Sequence, residues 1–239
     1  GFDPSIIVSI KGNKVTLEKN GVIESKVIEK DNPLVGLKEI LALYQPVEVE
    51  GLPRFSGGAV GFLSYDMVRS FEDLPNKTKD DLGVPDAHFI LTDTLLIFDN
   101  VAQTIKIVSN AHVKKNDLEK AYGQAIENIE MIERKLRVNL SPVVDEVFTS
   151  NSEYPTCIES NFEKEKFIDA VRKVKNYILE GDAIQVVLSQ RLKFNISKDP
   201  FTIYRALRMI NPSPYMYYLK FGDIKVVGSS PEILVRLED

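Results

Sequence analysis

Two long stripes of apolar residues at helical spacing constrain the fold of this chain most strongly. The first comprises Leu118, Ala121, Ala125, Ile129, Ile132 and Leu136, and the second comprises Phe167, Val171, Val174 and Ile178. Recurrence every three or four residues predicts an amphipathic helix with one buried face. Runs of β-branched and aromatic residues precede the first stripe and follow the second, so each helix has predicted strands to pack on. The chain is therefore predicted to adopt an α+β fold.

Short turn signals join the strand-like runs, which predicts largely antiparallel sheets with packed helices. The runs in the first part are 5–10, 14–18, 21–29, 88–98 and 102–109, and those in the second are 184–192, 215–221, 224–227 and 233–236. Asn20-Gly21 and Gly222-Asp223 are typical two-residue hairpin turns. Shorter helices are predicted around 34–44 and 200–209. Ser160 and Glu163 have the spacing of a capping box before the second long helix, and Gly181 can end that helix.

Composition narrows the class of protein. Of 239 residues, 44% are hydrophobic and 27% are charged, which is close to the globular average. The net charge of −5 comes from interleaved acidic and basic residues, so we expect no nucleic-acid partner. No apolar run approaches the ~20 residues of a membrane span, so we expect no membrane association. Cys157 is the only cysteine, which favours a cytoplasmic setting.

Helical and strand periodicity are both lost after residue 138. The segment that follows collects Pro142, Pro155 and several Ser and Asn residues, as linkers do. We predict an N-terminal domain over 1–140, a linker over 141–159 and the first part of a second domain over 160–239.

Familiar catalytic motifs are absent from the sequence: there is no Walker loop, GxGxxG fingerprint, HExxH motif or Cys/His cluster. The glycine-rich run at 57–61 lacks the Lys-Ser/Thr of a phosphate loop. We interpret it as a strand that bends or that another backbone approaches closely. His88 and His112 are interpreted as surface or packing residues.

Three positions could carry chemistry. Gln185 lies in an apolar run, where an inward amide needs hydrogen-bond partners, although an outward amide on a half-buried strand fits equally well. Glu232 follows Ser230-Pro231; partly buried, it could be a general acid, and otherwise it is an ordinary surface residue. The double-proline turn 211–214 either stops a helix or forms a rigid lip that presents Met216 to a small ligand.

Four stretches carry a family resemblance: GGAVGFLSYD (57–66), GDAIQVVLSQR (181–191), NPSPYM (211–216) and SPE (230–232). They resemble the large, chorismate-using subunit of anthranilate synthase, component I, along essentially the whole chain. The resemblance implies that family's two-part architecture, truncated at both ends. A segment of the tryptophan feedback site would precede Gly1, and the glutamates that bind Mg²⁺ would follow Asp239.

The resemblance also implies roles for individual residues. Pro214, Tyr215 and Met216, with Asn211 in the same turn, match the tryptophan-binding part of the feedback site. Glu232 matches the proposed general acid for departure of the chorismate C4 hydroxyl. Gln185 stands where the water-using isochorismate and salicylate synthases carry a Lys that activates water. An amide cannot act as that base, so Gln185 fits ammonia as the nucleophile.

The implied reaction converts chorismate and ammonia to anthranilate and pyruvate. A partner glutamine amidotransferase subunit would supply the ammonia, Mg²⁺ would be the cofactor, and tryptophan would inhibit. Because the downstream catalytic groups would lie beyond Asp239, we expect the isolated chain to be inactive.

Two alternatives stay open at this point. Aminodeoxychorismate synthase component I, of the folate pathway, also uses ammonia on chorismate. That family tends to show Gln-Val-Asn-Leu where this chain has Gln-Val-Val-Leu at 185–188, and a different sequence at 214–216, so both comparisons favour anthranilate synthase. The Lys motif that decides between them would lie beyond Asp239. The second alternative is a non-catalytic fragment that binds tryptophan.

Overall fold

A computed structural model describes residues 4–28, 32–114, 117–138 and 157–237. The chain divides into two compact units, Gly1–Ser141 and Pro142–Asp239. All strand pairs among the described residues are antiparallel, and helices accompany them in both units, which confirms the α+β prediction. The domain limits 1–140 and 160–239 stay a prediction, since the linker 141–159 falls largely outside the described residues.

The first unit contains a five-stranded sheet with the order β3-β2-β1-β5-β4. Its strands are β1 (Ile6–Lys11), β2 (Lys14–Lys19), β3 (Val22–Val27), β4 (Gly58–Leu63) and β5 (Ala87–Thr92). The two predicted N-terminal hairpins are confirmed. Asn20 and Gly21 adopt positive φ of 50° and 79°, as a primed two-residue turn requires.

One face of this sheet holds the core of the first unit. Ile6, Val8 and Ile10 alternate along β1 with outward residues, and all three are buried because strand side chains alternate between faces. Helix α1 (Val35–Leu41) covers them. The residues that pack against the core from this region are Leu34, Leu37, Ile40 and Tyr44. Burial of each large aliphatic side chain contributes about 1.5–3 kcal/mol.

The predicted long strand over 88–98 is wrong, because the structure breaks it at Asp93. β5 ends at Thr92, and β6 (Thr94–Asp99) belongs to a separate hairpin with β7 (Thr104–Ser109). The Asp93 carboxylate accepts a hydrogen bond from the Ser5 hydroxyl, and it lies 2.8 Å from His112 Nε2. These contacts hold the chain at the bend between the two sheets.

The first long helix, α2 (Leu118–Arg137), packs on the β6–β7 hairpin as its stripe predicts. Ala125 and Ile132 are its buried residues. The Asn128 amide donates to the Ser109 hydroxyl at 3.3 Å, and this hydroxyl lies 3.2 Å from that of Thr94. The helix is thus joined to β7 by a polar contact as well as apolar ones, and the same hydroxyl links β7 to β6.

The second unit contains α3 (Lys164–Glu180), α4 (Pro200–Ile210) and the hairpin of β10 (Tyr215–Phe221) with β11 (Ile224–Ser230). A short bridge pairs β8 (Glu159–Ser160) with β9 (Leu192–Lys193). Gly181 ends α3 with φ of 86°, the left-handed conformation that glycine adopts most easily.

Two predictions about α3 are corrected. The capping box does not form, because the Ser160 hydroxyl bonds locally to the carbonyl and N–H of Phe162, and Glu163 makes no side-chain cap bond. The apolar stripe is incompletely buried: Val171 and Ile178 are each 39% exposed. Among the described residues no sheet packs extensively on this face of the helix.

Two predicted strands, 184–192 and 233–236, are also wrong as strands. Of the first, only Leu192 lies in a strand, at the start of β9, and the second has no strand pairing. Ile184 and Leu234 are almost fully exposed. A strand needs a hydrogen-bonded neighbour, because backbone N–H and C=O groups require partners. Within the described ranges no neighbouring strand lies beside 184–190 or 233–237.

Candidate functional site

The candidate site lies where α4 ends and the β10–β11 hairpin begins. Asp199 caps α4 by accepting the Phe201 N–H at 2.8 Å, and Pro200 supplies a preset φ at the first helical position. The helix ends at Asn211, whose N–H donates to the Leu207 carbonyl at 2.8 Å. The double-proline segment 212–214 cannot continue the helix and leads directly into β10.

Two serine hydroxyls fasten this turn to the end of β11. Ser213 donates to the Ser230 carbonyl and accepts the Tyr215 N–H at 3.2 Å. Ser229 donates to the Asn211 carbonyl at 2.6 Å. The bonds run in both directions between the turn and the strand, so the turn is held rigidly against β11.

A shallow concavity of about 220 Å³ opens at this corner. Its lining residues are Asn211, Pro212, Ser213, Pro214, Ser229 and Pro231. Prolines and hydrogen-bonded serines have little conformational freedom, so the concavity is largely preformed. A larger concavity of about 380 Å³, lined partly by Ser5, Glu18 and Gly21, lies in the first unit and contains none of the predicted site residues.

Aromatic packing holds α4 against the hairpin. The Tyr218 ring of β10 meets the Phe201 ring edge-on at 5.3 Å and the Tyr204 ring at 5.9 Å. Phe201 and Tyr204 stack at 5.8 Å along the helix. Such pairs contribute about 0.5–1.5 kcal/mol each beyond the area they bury. The first turns of α4 are therefore packed against the middle of β10.

The structure brings five of the six predicted site residues to this corner. Asn211 and Pro214 line the concavity, and Tyr215 and Met216 begin β10 opposite Ser230 and Ser229. Glu232 follows β11, where its carbonyl accepts the Ser230 hydroxyl at 2.8 Å. Glu232 is exposed, so the described residues do not give its carboxylate the partly buried environment that a general acid needs.

Gln185 is not part of this corner. It lies in the irregular segment 184–190 and is exposed. No hydrogen bond joins its side chain to another residue in the described part of the chain. Its predicted position on a strand is wrong, because no neighbouring strand lies beside 184–190 in the part of the chain that the structure describes.

Sequence reasoning missed Ser213, Ser229 and Ser230 as structural members of the site. The available signal was a serine beside a proline in both Asn-Pro-Ser-Pro and Gly-Ser-Ser-Pro-Glu. Hydroxyls in such turns bond to nearby backbone groups, and here two of the bonds cross between segments 17 and 18 residues apart.

The described ranges contain no group of three or more His, Cys, Asp or Glu residues placed to hold a metal ion. None of the helices found among those ranges has the length and apolar character to cross a bilayer.

Comparisons with known proteins agree with this layout. The model of the chorismate binding enzyme family matches residues 7–239. Anthranilate synthase component 1 of Acetivibrio thermocellus is 43% identical over 242 residues, covering 100% of this chain and 48% of the relative. The protein of the same name from Aquifex aeolicus is 43% identical over 211 residues, covering 88% of this chain and 42% of the relative.

A solved structure resembles the fold as well. The crystal structure of anthranilate synthase component I from Streptococcus pneumoniae has a TM-score of 0.72 and 29% identity, and the match covers 97% of this chain and 49% of that chain. The chain thus spans about half the length of the relatives it matches. Since the family model matches the chain almost from end to end, the chain belongs to the chorismate binding enzyme family.

Proposed function

We propose that the chain is about half of an anthranilate synthase component I, which converts chorismate and ammonia to anthranilate and pyruvate. The observation that carries this proposal is the similarity to component 1 proteins over the whole chain, at 43% identity in one case. The preformed corner at 211–216 and 228–232 supports it, since it places the motif residues together on one scaffold.

The proposed reaction has two stages. Ammonia adds to the ring of chorismate while the C4 hydroxyl, protonated by Glu232, leaves as water. Pyruvate is then eliminated and the ring becomes aromatic. Glu232 follows the rigid Ser230-Pro231 turn, which fixes its backbone beside β11. The exposed carboxylate would need covering by residues outside this chain to act as a general acid.

Gln185 is proposed to face the nucleophile. Its amide has no proton that titrates near neutral pH and therefore cannot activate water as a base. Ammonia needs no such base, because it is nucleophilic in its neutral form. Its proposed source is glutamine, hydrolysed by an amidotransferase subunit corresponding to component II.

Magnesium is the proposed cofactor of the whole protein. The described residues do not fit it, since they offer no cluster of metal ligands. Its ligands are proposed to lie outside this chain.

Tryptophan is proposed to inhibit by binding at the corner that contains Asn211, Pro214, Tyr215 and Met216. The concavity of about 220 Å³ is small, and it offers the apolar faces of prolines beside backbone polar groups. A ligand bound there would bias the position of β11 and hence of Glu232. If tryptophan binds one conformer of this corner more tightly than another, it shifts the protein toward the conformer it prefers. That difference in affinity couples the inhibitor site to the catalytic site.

The test is product formation by a full-length protein that carries this chain, given chorismate, Mg²⁺ and ammonia. The proposal predicts anthranilate fluorescence that tryptophan suppresses. The 239-residue chain alone, assayed beside it, is predicted to give no product. Accumulation of an aminated chorismate without anthranilate would favour the folate-pathway enzyme instead.

A further inference from the structure

The outer edge of the five-stranded sheet is an open strand with exposed apolar side chains. β3 (Val22–Val27) ends the sheet, and all six of its residues are exposed. Val22, Ile23 and Val27 are 62%, 67% and 63% exposed. Within the described residues no strand pairs with the outer side of β3. Open edges of this kind are templates for pairing with a further strand.

The backbone groups available at this edge can be identified. The Ile28 N–H donates to the Asn13 carbonyl at 2.9 Å, next to the Lys14–Val27 pair. Since hydrogen-bonded and non-bonded pairs alternate in an antiparallel ladder, the even-numbered residues of β3 turn their backbone groups toward β2. Ile23, Ser25 and Val27 therefore turn their N–H and C=O groups outward.

Charge on the same strand selects one pairing register. An antiparallel pair of two β3 strands can be centred on residue 23, 24, 25, 26 or 27. Centring on Glu24 places Glu opposite Glu, and centring on Lys26 places Lys opposite Lys. Centring on residue 23 or 27 leaves one of the two charges opposite an apolar residue. Only the register centred on Ser25 places Glu24 opposite Lys26.

That register also lets the outward-facing N–H and C=O groups of β3 form hydrogen bonds. The Ser25–Ser25 and Ile23–Val27 pairs are then the hydrogen-bonded ones, which use the outward groups. The Glu24–Lys26 pairs fall at non-hydrogen-bonded positions, where the side chains of opposite residues are closest. Lys26 already pairs with Glu39 at 3.8 Å, but its side chain is 71% exposed and can reach a second carboxylate.

We propose that β3 is a self-association edge, on which a second copy of this chain pairs antiparallel about a two-fold axis at Ser25. In this isologous interface each Glu24 faces the partner's Lys26 and each Ile23 faces the partner's Val27. The two five-stranded sheets become one continuous sheet. Ile23 and Val27 of the two copies then lie next to each other on one face of that sheet.

Sedimentation equilibrium of the 239-residue chain, from micromolar to submillimolar concentration, tests the pairing. The proposal predicts a reversible shift from 27.0 kDa toward twice that mass. Glu24→Lys alone and Lys26→Glu alone each place like charges opposite each other twice, and should raise the dissociation constant about tenfold. An equimolar mixture of the two variants should restore dimerisation as a heterodimer, because every facing pair is again opposite in sign. The restored association also shows that each variant is folded.

Ser25→Pro is the second test. It removes an outward N–H and leaves the inward bonds of β3 intact, as edge strands tolerate. The variant should remain monomeric at concentrations where Ser25→Ala dimerises. A chain that stays monomeric throughout the range overturns the proposal. Dimers that withstand Ser25→Pro, or charge variants that do not rescue each other, overturn it as well.

Discussion

Gly61 of β4 and His88 of β5 approach so closely that no side chain fits between them. A Cβ atom on Gly61 would lie 1.9 Å from the His88 carbonyl oxygen and 2.7 Å from the Phe89 Cα. Both obstacles are backbone atoms of the neighbouring strand β5, so neither can rotate away. The glycine run at 57–61 therefore has the structural role predicted for it, a close backbone approach.

We predict that Gly61→Ala destabilises the first unit by about 3 kcal/mol, because the added methyl group must push β4 away from β5. Urea unfolding followed by circular dichroism measures the change. An alanine variant as stable as the parent chain would mean that β4 and β5 are not in this register.

Gly123→Ala is the matched control and is itself a prediction. Gly123 lies exposed within α2, and a Cβ there meets no atom within 4 Å. Alanine has the higher helix propensity, so this variant should gain about 0.5–1 kcal/mol. Loss of stability here would contradict the exposed position of Gly123.

Ser213 is predicted to maintain the corner at the start of β10. Ser213→Ala removes the bonds to the Ser230 carbonyl and the Tyr215 N–H, and should cost about 0.5–1.5 kcal/mol per bond. In the full-length protein it should also weaken tryptophan inhibition, because the turn loses its attachment to β11. Calorimetric tryptophan titration and thermal unfolding measure the two effects.

Ser197→Ala is the control for Ser213→Ala. Ser197 is exposed in the same unit, and no hydrogen bond joins its side chain to another described residue. The substitution should change neither stability nor inhibition. Equal effects of the two variants on stability and inhibition would contradict the proposed role of Ser213.

His88 should make the first unit sensitive to mild acid. Burial lowers the pKa of His88 below its ordinary 6.5, against a smaller opposing effect of the Glu18 carboxylate. The unfolded chain therefore binds the proton more tightly than the folded chain does. This contribution to stability is complete above 6.5 and is lost as the pH falls from 6.5 toward the folded pKa.

The variant His88→Gln tests this pH dependence. Its free energy of unfolding should fall less between neutral and mildly acidic pH than that of the parent chain. Unfolding by urea at several pH values gives both slopes. If the two slopes are the same, His88 does not control the pH dependence.

Gln185 is predicted to select between ammonia and water. In the full-length protein, Gln185→Lys places a titratable amine where the family's water-using members carry one. Ammonia-dependent anthranilate formation should fall, and hydroxylated products should appear. Gln185→Glu, with a much weaker base, is the comparison. Chromatography of the products separates the outcomes, and unchanged anthranilate output from Gln185→Lys would contradict the assignment.

Local patterns predicted the elements whose partners are near in sequence. The β1–β2–β3 meander, the left-handed Gly181 and the β10–β11 hairpin all follow from turn residues and alternation. The long run 88–98 is equally strand-like, but contacts of Asp93 with the distant residues Ser5 and His112 divide it between two sheets. Sequence periodicity does not predict contacts between residues so far apart in the chain.

Contacts between distant segments also limited the prediction of the candidate site. Motif residues at 211–216 and at Glu232 were predicted, and the hairpin register brings them together. The serine bonds that hold the corner join segments whose pairing the pattern does not specify. For 184–190, apolar character predicted a strand, but a strand also needs a neighbour, and the described residues provide none.

The central claim is that this chain belongs to an enzyme that makes anthranilate from chorismate. Anthranilate fluorescence from a full-length protein carrying the chain, with chorismate, Mg²⁺ and ammonia, tests it most directly. The prediction is a fluorescence increase that requires ammonia and is suppressed by tryptophan. Consumption of chorismate without anthranilate, or no consumption by a folded protein, would contradict it.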